Sequence, residues 1–181
     1  MSVFRNAFDR FAERLIARAV YRDPDFIVGG RKNPYLLRWY ELGGKWVKDR
    51  KTRKPRWISR TMLGIARPYL HCFLRSDDDR ALHDHPAPSL SIGLRGRAIE
   101  HTIAAGGVHH RRTLKAGQVT WRSADFAHRI EIEPGTDYWT LFIFFPNVRE
   151  WGFHCKNGWV PWRVFTASDD PGAIGAGCGE P

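Results

Sequence analysis

Cysteine is scarce in this chain, with only Cys72, Cys155 and Cys178 present. Their odd number and the lack of any CxxC pair argue against a disulfide framework and a zinc ribbon, and leave a reducing cytoplasm as the expected compartment. Long apolar runs are missing too. Nothing approaches the roughly 20 apolar residues that span a bilayer, and the opening residues interleave arginines and acids with apolar positions instead of holding a signal-peptide core. No internal repeat is visible. Acidic side chains fall short of basic ones, 19 against 29, for a formal charge of +10.

That shortage is local. Between Gly43 and Arg67 stand Lys45, Lys48, Arg50, Lys51, Arg53, Lys54, Arg56, Arg60 and Arg67, opposed only by Asp49, while the remainder is close to neutral. Such a run attracts polyanions, and Trp46 and Trp57 inside it offer stacking surfaces for bases. A solvated insertion loop is the simpler and preferred reading, because charge alone reads no sequence.

Aromatic residues are plentiful, with 8 Trp, 11 Phe and 5 Tyr in 181 residues. This composition and length suit one globular domain with tails. Residues 1–30 form an N-terminal extension in which Phe4, Phe8, Phe11, Leu15, Ile16 and Ala19 recur at helical spacing opposite Arg5, Asp9, Arg10, Glu13, Arg14 and Arg18. The expected element is an amphipathic helix packed over the domain or a partner subunit.

From Pro34 the pattern turns to short strands. Residues 35–41, 67–75, 89–95, 98–104, 108–114, 119–122, 127–133 and 138–145 are separated mostly by turn signals such as Gly106-Gly107 and Pro134-Gly135. About eight strands at this spacing indicate a sandwich or small barrel, with no helical periodicity from Ser89 onward. The last of them is apolar on both faces, as a strand covered on each side by the helix or a second subunit would be. Tryptophan-rich residues 151–165 form a flap over one end, and the Gly- and Pro-rich residues 168–181 form a loose tail.

The chemistry gathers on histidine. In extended chain His83 and His85 point to one face and Asp84 to the other. His128 shares an inward face with Ile130 and Ile132. Three neutral imidazoles suit one divalent transition metal (Fe, Ni, Zn, Mn or Cu) and leave positions open for water or substrate. Asp79 is the favoured fourth ligand or hydrogen-bond acceptor, ahead of Asp78 and Asp84, while Asp77 reads as part of a solvated turn. Arg80, Arg122 and Arg129 are candidate anchors for an anionic substrate. His71 and Cys72 have opposite parity, so at most one of them faces the interior. His101, His109 and His110 lie on a hairpin and are expected to be exposed, and His154 is expected to be structural.

These stretches resemble the cupin superfamily, whose motifs run G-x5-H-x-H-x3,4-E-x6-G and G-x5-P-x-G-x2-H-x3-N. His83-Asp84-His85 supplies the paired histidines, Gly96 the closing glycine, and Gly117 with His128 the frame of the second motif. Residues 76–86, 149–155 and 158–162 also resemble small cupin-like proteins of phage and bacterial genomes. The resemblance covers residues 34–165, with 43–67 as a basic insertion. It implies an all-β fold: a single cupin jelly-roll barrel, or double-stranded β-helix. The sequence departs from the motifs at Ser89, where the family places a glutamate ligand, and at Asp77, Ser123, Asp125 and Ile132. What remains matches the three-histidine cupins, among them the thiol dioxygenases.

Three functions compete on this evidence. One is a metal-dependent enzyme acting on a small molecule, an oxygenase or an isomerase-like cupin, with a homodimer as an expected assembly. Another is a non-catalytic binding or structural module. The third is a nucleic-acid-associated protein using Lys45, Lys48, Lys51, Arg53, Lys54 and Arg56. On the third reading, affinity for DNA or RNA drops steeply with added salt and is lost when Lys51, Arg53 and Lys54 become Glu. Anisotropy titrations at two ionic strengths check this, and an unaffected triple variant would remove the reading.

Overall fold

The computed structural model describes residues 2–29, 31, 33–41, 66–77, 81–167 and 173–179. The basic segment up to residue 65, with all six of the nucleic-acid candidates, lies outside the described residues, as do Asp78, Asp79 and Arg80. Helix α1 (Ser2–Val20) is followed by β1 (Phe26–Val28), β2 (Leu36–Tyr40), β3 (Arg67–Phe73), β4 (Leu82–His83) and β5 (Ser89–Ala104). Then come β6 (Val108–Lys115), β7 (Val119–Arg122), β8 (Arg129–Glu131), β9 (Tyr138–Phe144), β10 (Gly152–Cys155), β11 (Gly158–Pro161) and the short helix α2 (Trp162–Phe165). The pairing is antiparallel throughout, in the order β1-β2-β3-β9-β5-β6, with β7 and β8 also on β5. Strands β11, β10 and β4 form a smaller second sheet. The architecture is the single all-β jelly-roll barrel, with an N-terminal helix, that the histidine motifs implied. No helix among the described residues is long and apolar enough to cross a membrane.

Strand β5 is the spine. The residues expected as two strands, 89–95 and 98–104, form one, with a register shift between Gly93 and Arg95. Its first half pairs with β7 and β9, its second with β6 and β8. Gly96 has φ +78°, and a Cβ there would collide with the Asp137 carbonyl. Glycine is therefore required where the spine bends past β9.

Alternation along β3 and β9 sorts side chains into two layers. Leu70, Cys72 and Trp139 face α1, which buries Ala12, Ile16 and Ala19 against them and against Trp39 and Leu94. Trp39 stacks on Trp139 at 5.4 Å. Leu70 is fully buried, and a side chain of that kind contributes about 1.5–3 kcal/mol. The helix packs on the domain through the middle of its expected stripe, but Phe11 is 48% exposed and lies off that contact. The opposite faces of the same strands carry Tyr69, His71, Phe73, Phe142 and Phe144 into the barrel, where they line a cavity.

The flap lines one side of this cavity through Trp151, Phe153 and Trp162. Asp84 is fully buried and accepts hydrogen bonds from the Gly152 N–H (2.8 Å), Arg149 Nη1 (2.7 Å), His154 Nε2 (3.1 Å) and Trp159 Nε1 (3.1 Å). It points away from the histidines, as parity requires, and fastens the flap to β4. His154 thus has the structural role expected of it.

Several expectations are corrected. Cys155 and Cys178 form a disulfide with a Cα–Cα distance of 5.5 Å, which removes the basis for inferring a reducing compartment from unpaired cysteines. Residues 173–179 are not loose: the Gly175 and Gly177 N–H groups donate to the Phe165 carbonyl, and Thr166 bridges Ile174. Chain reversal lets backbone hydrogen bonds and the disulfide do what apolar burial could not. Residues 162–165 are helical. His101 is buried, its ring stacked on His109 at 5.0 Å and bonded to Glu131 at 2.7 Å. Asp77 is also buried, because its Oδ2 accepts the Ile130 N–H at 2.8 Å.

Burial alone would raise the Asp84 pKa, but bonds from Gly152, Arg149 and His154 outweigh it and hold the pKa below the ordinary value. A depressed folded-state pKa gives stability that is complete above the unfolded pKa, about 3.9, and lost as pH falls through the folded value. Asp84→Asn should therefore cost about 1.5–3 kcal/mol near neutrality. In thermal melts, the gap from wild type should narrow below about pH 4.

Candidate metal centre

Backbone bonds place the three histidines before any side chain acts. The His83 N–H donates to the His128 carbonyl and the His128 N–H to the His83 carbonyl, each at 2.9 Å, and the His85 N–H donates to the Ala124 carbonyl at 3.0 Å. The imidazoles converge as a near-equilateral triangle: ring centroids lie 5.2 Å apart for His83 and His85, 5.0 Å for His83 and His128, and 5.1 Å for His85 and His128. One nitrogen from each ring falls within 4.8 Å of the other two.

The His128 tautomer follows from its neighbour. Glu100, fully buried on β5, receives the His128 Nδ1–H at 2.7 Å and Arg122 Nε at 2.6 Å, with Arg112 Nε on its other oxygen. Burial alone would raise the Glu100 pKa, but the His128 imidazole and the Arg122 guanidinium outweigh it and hold Glu100 as a carboxylate far below its ordinary value. An ionised Glu100 only accepts, so His128 Nδ1 carries the proton and Nε2 is bare. That bare nitrogen faces His85 Nε2 at 2.9 Å. At this distance two ring nitrogens either share one proton or both face a common cation.

Burial first, then the positive charge of Arg122 and the neighbouring His83, pulls the His128 pKa down to about 3 despite Glu100. His85 is lowered well below its ordinary value by burial and then by His128 and His83. His83 is lowered by burial, with Asp77 and Asp84 opposing. All three rings are therefore neutral donors at physiological pH. His83 Nδ1 is buried without a hydrogen-bond partner among the described residues, 3.9 Å from Asp77 Oδ2. A triangle of neutral imidazoles, with one tautomer fixed by a carboxylate and one orphaned nitrogen, fits a divalent metal.

The adjoining cavity has a volume of about 440 Å³, within the usual range for small-molecule sites. Aromatic rings from β3, β9 and the flap dominate its walls, and Asp77, Arg38, Arg67 and His71 supply polar groups. His71 faces inward and Cys72 faces the helix, as their parity requires.

Of the anchors expected from sequence, Arg122 is committed to Glu100 beneath His128, and Arg129 reaches Glu131 at 3.9 Å; neither lines the cavity. Ser89 is fully buried, and its hydroxyl has no partner among the described residues. Sequence reasoning missed Glu100 and Arg38. The signal present was a lone acid inside an apolar strand and a lone cation inside an aromatic one.

No family model matches the sequence, and no curated protein matches it significantly. Among solved structures, the chain is similar to oxalate decarboxylase from Bacillus subtilis, studied for its Mn(II) centres, with a TM-score of 0.46 and 16% identity over 75% of this chain and 31% of that one. It is also similar to oxalate oxidase in complex with the substrate analogue glycolate, with a TM-score of 0.44 and 15% identity over 62% of this chain and 54% of that one. The chain spans about a third of the length of the oxalate decarboxylase it matches.

Glu100→Gln replaces the anionic acceptor with a neutral amide that can meet either tautomer. Competition titrations against a chelator should show a loss of metal affinity of about 10- to 100-fold. A change under about twofold would mean that Glu100 does not fix the His128 tautomer.

Proposed function

We propose that this protein is a metal-dependent cupin enzyme acting on a small molecule, with His83, His85 and His128 as metal ligands and oxygenation as the favoured reaction. The observation that carries this reading is the convergence of three neutral imidazoles, one with its tautomer set by Glu100, at the wall of an aromatic cavity. A divalent ion held there supplies a Lewis acid with positions open to substrate and oxygen. The chain's own part is to orient and to shield. Phe142 and Phe144 flank His85, with ring centroids at 6.4 and 6.3 Å, and Phe153 flanks His83 at 5.9 Å. These rings exclude water from the side on which substrate would lie. Iron, manganese, nickel and zinc all suit the donor set.

Metal-stripped protein reloaded with Fe(II), Mn(II), Ni(II) or Zn(II) should take up one ion per chain by elemental analysis. Substituting any one of the three histidines with Ala should weaken binding by at least about 100-fold. Oxygen uptake by the Fe(II)-loaded protein in the presence of small organic acids tests the reaction. Stoichiometric ion binding retained after all three substitutions would overturn the assignment.

A further inference from the structure

Two guanidinium groups face the cavity, and neither forms an ion pair with a carboxylate among the described residues. Arg38, from β2, donates Nε to His71 Nε2 at 2.9 Å and lies over the Tyr69 ring at 5.1 Å. Its Nη1 and Nη2 have no hydrogen-bond partner among the described residues. Arg67, from β3, gives Nη2 to the Phe145 carbonyl (2.9 Å) and the Asn147 side-chain oxygen (2.7 Å), and its Nε is buried without a partner among the described residues. Among the described residues, the one acid on the cavity wall is Asp77, and it already accepts the Ile130 N–H. With neutral histidines the described part of the wall is net positive, and a bound divalent ion would add to that charge. An occupant that balances this wall is an anion.

The geometry around Arg38 says which kind. His71 engages the Nε side of the guanidinium and leaves the end-on pair of Nη donors, a fork that matches the two oxygens of a planar carboxylate. His71 is itself clamped, stacked on Phe142 at 4.8 Å, and burial followed by the Arg38 charge keeps its pKa well below the ordinary value. It stays a neutral acceptor that fixes the Arg38 rotamer. Phe142 is a shared wall between anchor and histidines, since the His85 ring also lies beside it at 6.4 Å. Between them the walls are aromatic: Tyr69, Phe73, Phe144, Trp151, Phe153 and Trp162.

We propose that the substrate of this site is a small carboxylic acid with an aromatic or comparably flat apolar body, its carboxylate held end-on by Arg38 and its body directed between the rings toward the three histidines. This rests on the reading of the cavity as the place where the metal meets substrate. It assigns Arg38 as the substrate-binding residue and His71 as the residue that positions it, neither of which was among the anchors expected from sequence.

Phenylacetate and its neutral isostere phenylacetamide are suitable probes, titrated calorimetrically into Zn(II)-loaded protein. Wild type should bind phenylacetate at least tenfold more tightly than phenylacetamide. Arg38→Gln should lose that preference, weakening phenylacetate at least tenfold while phenylacetamide affinity and metal content stay at wild-type levels, which also controls for folding. Arg38→Lys should recover only part of the loss, and His71→Phe, which keeps the stack on Phe142 but removes the acceptor, should weaken phenylacetate by several-fold. Phenylacetate affinity unchanged in Arg38→Gln would overturn the proposal, as would phenylphosphonate binding more tightly than phenylacetate. The two readings fail separately. Loss of metal binding with Arg38-dependent phenylacetate binding intact sinks the metal assignment and supports the anchor, whereas full metal loading with phenylacetate indifferent to Arg38 sinks the anchor alone.

Discussion

The constraint on which this molecule depends is that β3 and β9 must satisfy two environments at once. Each presents one row of side chains to α1 and the other to the barrel interior, and the pleat allows no residue to serve both. The rows differ in kind. Toward the helix stand Leu70, Cys72, Trp139 and Leu141, shapes that pack; toward the interior stand Tyr69, His71, Phe142 and Phe144, shapes that recognise. A one-residue slip in the register of either strand would exchange the two rows and destroy core and cavity together. Their mutual pairing, running continuously from Arg67 with Phe144 to Phe73 with Tyr138, thus protects function as much as stability.

Electrostatics within the barrel follows a second economy. Glu100 with Arg112 and Arg122 puts three formal charges under His128, a costly arrangement unless each finds its partner. Here they do, because Glu100 stands directly across from Arg112 in the β5–β6 ladder and Arg122 reaches it from β7. Among the described residues, the Nη donors of Arg38 and one nitrogen of His83 stay unpaired beside the cavity and the metal centre. The buried charges beneath His128 are balanced while donors at the cavity are left wanting, a distribution expected where binding is the purpose.

Much of this was legible in the chain. The paired histidines, the inward His128, the strand boundaries near 119–122 and 138–144, and the opposite facing of His71 and Cys72 all follow from a period of two, which sequence displays directly. The glycine at 96 belonged to a recognisable motif, though only the neighbouring Asp137 carbonyl explains why nothing larger fits. What escaped was whatever depends on register between distant strands. Glu100 meets Arg122 only because β7 folds back on β5, and Cys155 meets Cys178 only because the chain reverses after α2. Arg122 and Arg129 looked like anchors because arginine near a histidine suggests an anion, but their partners, Glu100 and Glu131, lie on strands whose pairing no local pattern reveals. Asp79 and Arg80 fall outside the described residues.

The reciprocal backbone bonds between His83 and His128, with the bond from His85 to Ala124, have a thermodynamic meaning of their own. In small metal-organised domains the ligands are gathered by the ion, so that its binding energy is spent on folding the chain. Here main-chain hydrogen bonds have already gathered them, and the entropy of bringing three distant segments together is met by the barrel. The ion's full affinity is then available for selectivity and chemistry, and a chelator should strip the centre while leaving the barrel standing.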